Sequence, residues 1–141
     1  MHSPILAPAM VLVLWTLAML FWLAATRLPA LRKAGVDIGS VVGGRGQDLE
    51  GVLPANVNWK AHNYAHLLEQ PTIFYATAVV LAVSGAASGL DVELAWAYVV
   101  LRVVHSLVQA LWNRVAVRSS IFLLSTIVLL VLAVHALRAV L

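Results

Sequence analysis

The sequence predicts an all-α protein of the membrane, a four-helix bundle with up-down-up-down order that occupies residues 1–141 as a single domain. Three observations predict it. The chain is 62% hydrophobic and only 11% charged, with a mean hydropathy of +0.95, whereas soluble domains hold ~45–50% apolar residues. The apolar residues collect in four runs, each near the ~20 residues needed to cross a hydrocarbon core. The basic residues concentrate in two of the three connections, as they do where a loop is retained on the cytoplasmic side.

The first run, residues 4–26, has no basic residue ahead of it, and Arg27, Arg32 and Lys33 follow it. It exceeds the ~7–15 apolar residues of a secretory signal and reads as a retained span. Residues 27–58 then form a cytoplasmic loop that contains the only sizeable polar segment. Its GGRG turn at 43–46 lacks the lysine and the strand–helix context of a phosphate-binding loop, so a flexible loop is expected there. The second span, 59–86, ends where Gly85 and Gly89 stand four apart. That spacing can pack helices, but at a helix end it reads as a turn. The third span, 93–113, follows the connection GAASGLDVE, which holds no Lys or Arg, and the fourth, 119–141, follows a short connection bracketed by Arg114 and Arg118. The charge asymmetry places both termini outside the cytoplasm. Trp22, Trp59 and Trp112 fall at the inner interface and Trp96 at the outer one, as an aromatic belt requires.

The net charge of +3 comes from cations scattered around apolar runs, not from a basic stripe, so no nucleic-acid partner is expected and membrane lipid is. There is no cysteine, which excludes disulfides and thiolate metal sites and leaves any thiol chemistry to a thiol carried by a ligand.

Polar residues inside the spans carry the functional signal. The stretch KAHNYAHLLEQP, residues 60–71, leads directly into an apolar run. It places His62, His66 and Glu69 on one helical face, with Asn63 beside them. Span three answers with Arg102, His105 and Gln109 on one face, and Arg114 follows at its end. Counting ~1.5 Å of rise per residue from the inner boundary, Glu69 and His105 lie ~13 Å deep and Arg102 ~18 Å. Charges at such depth persist where a pocket, partner or pathway compensates them. An ion pair between Glu69 and Arg102 that merely orients helices is the plainer alternative, but the polar residues are too many for it. They imply a wet cavity open to the cytoplasm, rich in cations and suited to a guest with carboxylates or phosphates. A metal is not expected, because His62 and His66 lack the glutamate of an HExxH motif and Arg102 would oppose a cation.

These residues resemble the membrane-associated proteins in eicosanoid and glutathione metabolism, the MAPEG family. LRVVHSLVQALWNRVAVRS, residues 101–119, carries Arg-x-x-His followed by Arg-x-x-x-Arg-Ser. In span two, Lys60-Ala61-His62 looks like the family's Arg-Ala-His opening, and His66-Leu67-Leu68-Glu69 with Pro71 looks like its Asn-x-x-Glu block before a proline. The chain departs from the pattern at His66, where asparagine is usual, at Pro71, which follows Glu69 sooner, and at Gln109, where some enzymes of the family have tyrosine. The resemblance implies a bacterial-type member like the microsomal glutathione transferases, in a bacterial inner membrane, assembled as a homotrimer. It implies glutathione as co-substrate, bound between subunits. Glu69 and His66 would hold its ammonium end and backbone, with Lys60, His62, Asn63 and Gln109 nearby, and Arg102, His105 and Arg114 would take its carboxylates. Arg32 and Lys33 would close the site from the first loop. Arg118 and Ser119 would face the thiol as the catalytic pair.

The implied activity is a glutathione transferase or peroxidase acting on hydrophobic electrophiles or lipid hydroperoxides, with a hydrophobic small molecule as second substrate. Two other classes compete. A non-catalytic scaffold that binds lipid or glutathione fits the amide at Gln109, which cannot act as an acid. A small multidrug-type transporter also has four spans and one embedded glutamate, but usually in its first span, which here holds no acid.

Overall fold

The computed structural model describes residues 3–141, so Met1 and His2 at the start of the expected domain lie outside the described residues. Four helices account for most of the chain: α1 (Leu6–Lys33), α2 (Ala55–Ser84), α3 (Gly89–Leu111) and α4 (Val115–Val140). A short 3-10 turn at Gly46–Leu49 interrupts the long first connection, and the described residues include no strand. All four helices are long and apolar enough to span a bilayer, as expected of an all-α integral membrane protein.

All four helices begin or end away from the expected positions: α2 and α3 each start four residues before the expected 59 and 93, and the shifts at the end of α1 and the start of α4 have identifiable reasons. α1 continues past Thr26, through Pro29, to Lys33, so Arg27, Arg32 and Lys33 belong to its last turns and not to the connection. Proline removes the N–H that Ala25 would receive, and Ala25 is exposed. Buried Leu31 anchors the final turn against the bundle. α4 starts at Val115, four residues before Ser119, because Asn113 turns the chain in a left-handed conformation (φ 53°) immediately after α3. Asparagine tolerates that conformation better than most residues.

Leu12, Met19, Leu67, Phe74, Leu81, Tyr98 and Leu132 are almost fully buried between the helices. Phe74 of α2 stacks on Tyr98 of α3 with ring centroids 4.4 Å apart. Polar side chains add specific ties where little water competes. Asn63 of α2 donates to the Ser106 hydroxyl of α3 at 2.6 Å. Gln70 accepts from the Tyr98 hydroxyl at 3.2 Å and donates to Thr126 of α4 at 2.8 Å, so one amide joins three helices.

The second half of the long connection is held down, although a flexible loop was expected. Arg27 donates to the Gly46 carbonyl at 2.7 Å, and Asn58 donates to the carbonyls of Leu49 and Leu53. A Cβ at Gly46 would sit 3.2 Å from the Arg27 guanidinium, so glycine permits this close approach. Gly85 closes α2 in the left-handed conformation (φ 70°) and Gly89 opens α3, so their spacing marks a turn. Ser88 and Asp91 then cap α3 reciprocally, each side chain accepting from the other residue's backbone N–H.

Candidate functional site

A cavity of about 320 Å³ opens where the beginning of α2, the end of α3 and the beginning of α4 meet. That volume lies within the ~300–1,000 Å³ common for small-molecule sites. Its walls are His62, His66 and Glu69 from α2, His105 and Gln109 from α3, and Arg118, Ser119 and Phe122 from α4. The two polar stripes thus converge on one space, completed by the first turns of α4.

Several wall residues are oriented by a neighbour. His66 Nδ1 and a Glu69 carboxylate oxygen are 2.8 Å apart, one turn along α2. The His66 ring lies 5.0 Å from that of His105 and 5.1 Å from that of Phe122. His62 Nε2 pairs with Glu50 of the anchored connection at 2.8 Å. Arg118 donates through Nη1 to the Asn113 side chain at 2.9 Å. The left-handed turn that starts α4 early therefore also fixes the guanidinium on the cavity wall.

Arg102 occupies an unexpected place. It is fully buried and lies behind the cavity, not on its wall. Nη2 donates to the His66 carbonyl at 3.0 Å, and the guanidinium carbon sits 5.7 Å from the Phe122 ring centroid. Pro71 deprives the neighbouring Leu67 carbonyl of its helical donor, so this turn of α2 lacks one backbone bond. Arg102 makes no ion pair with Glu69, whose side chain is 67% exposed and engaged with His66. The helix-orienting ion pair is therefore absent. Nε and Nη1 of Arg102, Nδ1 of His105 and the Oε1 atom of Gln109 are buried without a hydrogen-bond partner among the described residues. A buried cation with spare donors is costly unless something else supplies the acceptors.

The other expected site residues fall elsewhere. Asn63 faces Ser106 and ties helices together. Lys60 is buried, donating to the Asn56 carbonyl at 2.7 Å and the Ala110 carbonyl at 3.4 Å, with its ammonium 5.3 Å from the Trp22 ring centroid. Arg114 lies over Trp112 at 5.2 Å, outside the cavity. Arg32 and Lys33 end α1, and Lys33 lines a separate cleft with Thr26, Pro54 and Asn56. Ser119 sits more than one turn inside α4. It therefore has no free helix-terminal N–H to offer, and the macrodipole has largely decayed there. Its hydroxyl and the Arg118 guanidinium remain as the polar groups on that wall. Phe122 went unrecognised in the sequence because an aromatic residue in an apolar span carries no distinguishing signal.

These roles separate by mutation. Asn63→Ala should lower the stability of the detergent-solubilised protein by ~1 kcal/mol through the lost interhelical bond. Arg102→Met, which removes an unbalanced buried charge, should leave the unfolding temperature of the ligand-free protein unchanged or raise it. Thermal unfolding of both variants checks this, and a large loss with Arg102→Met would mean that the guanidinium is structurally balanced after all.

The MAPEG family model matches residues 5–138, nearly the whole chain and every helix that builds the cavity. No curated protein and no solved structure matches the chain. The match across all four helices shows that the chain belongs to the MAPEG family.

Proposed function

We propose that the cavity binds glutathione and that the protein is a membrane glutathione transferase or peroxidase acting on hydrophobic electrophiles or lipid hydroperoxides. Family membership carries the general class, membrane glutathione-dependent or eicosanoid-related chemistry. The observation that carries the specific reading is the set of unpartnered buried donors and acceptors on Arg102, His105 and Gln109 around a cavity walled by Glu69 and Arg118. Glutathione presents two carboxylates and one ammonium, which suit a cavity of positive potential with a single glutamate on its wall.

Glutathione supplies the thiol that this chain lacks. Glu69, oriented by His66, takes the ammonium. Arg118, held by Asn113, lies against the sulfur with Ser119 beside it, and a guanidinium there favours thiolate over thiol. The sulfur then forms a bond to the electrophilic carbon as the leaving group departs with its electron pair. With a hydroperoxide, the thiolate attacks the distal oxygen, the O–O bond breaks and the alkoxide leaves as the alcohol, and a second glutathione condenses with the resulting sulfenic acid to give disulfide and water. The second substrate approaches from the lipid side, where α4 exposes Leu123, Leu124 and Ile127.

A binding or scaffold role is the second reading, and the amide of Gln109 on the cavity wall favours it, since it offers no acid. Titration with glutathione at pH 7 should give an ultraviolet thiolate band in the wild type. Arg118→Ala should abolish the band while leaving most of the affinity. Glu69→Gln should weaken binding by roughly 10- to 150-fold, the value of a charge-assisted hydrogen bond, and Arg102→Leu should weaken it less, by removing the positive potential behind the cavity. Binding without a thiolate band in the wild type would favour the scaffold.

The proposed assembly is a trimer of up-down-up-down protomers, with the site shared between subunits. The 67% exposure of Glu69 deep along α2 supports it, because a second chain would cover that carboxylate in the bilayer. Native mass spectrometry in mild detergent should show three chains, and a monomer would overturn the shared site. The proposed membrane is a bacterial inner membrane, with both termini outside the cytoplasm. Because the chain has no cysteine, one introduced at Ser3 reports alone. An impermeant thiol reagent should label it from the non-cytoplasmic side, and labelling only from the cytoplasmic side would reverse the orientation.

A further inference from the structure

The opposite end of the bundle contains a second polar cluster that the glutathione reading does not use. Asp91, in the first turn of α3, is almost fully buried. The reciprocal cap with Ser88 accounts for its Oδ2 atom, which accepts from the Ser88 backbone N–H at 2.8 Å and the Ser88 hydroxyl at 2.7 Å. It does not account for Oδ1, which lies 2.6 Å from Nδ1 of His135 in α4, 44 residues along the chain. This contact fixes the imidazole and leaves Nε2 as its remaining polar atom. One turn further along α4, on the same face, stands Arg138. Among the described residues Arg138 forms no ion pair.

These groups border a cavity of about 290 Å³ whose other walls are Leu81, Ala86 and Ala139. Its chemistry narrows what can enter. Both carboxylate oxygens of Asp91 are engaged, so the acid offers little to a guest. A metal is disfavoured, because no group of three ligating side chains forms among the described residues and Arg138 adds positive charge. Hydrolytic catalysis is also disfavoured, because the Ser88 hydroxyl donates to Asp91 and the Ser84 hydroxyl to the Leu81 carbonyl, neither to the histidine. What remains open is a guanidinium and an imidazole nitrogen beside an apolar wall. The cluster lies ~21 Å along α3 from His105, at the helix ends where a bilayer places its headgroups.

We propose that this end of the bundle holds a binding site for the phosphate of a phospholipid headgroup, bound by Arg138 and the Asp91-oriented His135. The guanidinium matches two phosphate oxygens with parallel donors, and the doubly protonated form of His135, its Nδ1–H given to Asp91, donates a third contact through Nε2. The acyl chains follow the apolar surface of α4 below the site, where Val134 and Leu137 are exposed. The alternative role for Arg138, complementing the carbonyl end of α4, needs neither the cavity nor the fixed histidine. The proposal does not depend on the glutathione reading, since the two sites share no residue.

Native mass spectrometry of the protein released from phosphatidylglycerol-containing bilayers tests it. The wild type should retain one phospholipid per chain, and Arg138→Gln should weaken retention roughly tenfold, as expected for loss of a charged hydrogen-bond donor. Arg138→Lys should restore much of it, and glutathione affinity should stay unchanged in both variants. Equal lipid retention by wild type and Arg138→Gln would overturn the site. So would inorganic phosphate that binds as tightly as the lipid, because that would assign the cavity to a soluble anion. Arg138 is exposed, so its replacement does not threaten the fold. His135→Gln, which keeps a donor but not the ring, serves as a second variant and should also lose lipid if the oriented imidazole contributes.

Discussion

A full positive charge buried in a membrane bundle with no anion beside it is the constraint on which this structure turns. Arg102 is enclosed by α2, α3 and α4, gives one hydrogen bond to a backbone carbonyl, and keeps two donor nitrogens unsatisfied. The histidine and phenylalanine rings at its front face separate it from the cavity. A guanidinium in that position raises the electrostatic potential of the space in front of it, because the apolar surroundings screen it weakly. Glu69, the acid on the adjoining stretch of α2, is turned to His66. The protein therefore tolerates an energetic cost in one place, and an anionic guest would relieve it.

Much of this was legible in the sequence because helical spacing is a strong signal. The stripe from His62 to Glu69 and the stripe from His105 to Gln109 both reach the cavity, as their periods of three and four predict. Spacing alone does not say which neighbour each edge of a face meets. Asn63 lies one residue, ~100° around the helix, from His62, and that rotation directs it to Ser106 instead of the cavity. Lys60 resembled an opening ligand but is drawn to the Trp22 ring and two carbonyls. Arg102 shares a face with His105, yet three residues of further depth carry it behind the aromatic rings. The sequence expectation ends the first span at Thr26, because Arg27 and Pro29 look like the end of a span. A helix can project beyond the hydrocarbon while its last turns still pack, as Leu31 does.

The far-end cluster is not among the polar stripes that spacing reveals. Ser88 and Asp91 stand three apart and His135 lies in an apolar run. Nothing in the sequence joined them, since the contact spans 44 residues and depends on α3 and α4 lying side by side. Family membership likewise informs the whole and not the parts. It covers residues 5–138, but the roles of His66 and Gln109, where the chain departs from the pattern, rest on the geometry around them.

The turn between α3 and α4 bears on how this chain can change. Only Trp112, Asn113 and Arg114 separate the two helices, and the asparagine supplies both the left-handed bend and the acceptor that holds Arg118. A connection so short acts as a dial. Inserting or deleting one residue within it would break the bend that sets where α4 begins and shift Arg118, Ser119 and Phe122 relative to the cavity together. Length variation is therefore excluded there and admitted in the first half of the 34–54 connection, where no α1 or α2 side chain bonds the backbone. Across related chains, the spacing from His105 to Arg118 should be invariant even where the residues between them are not.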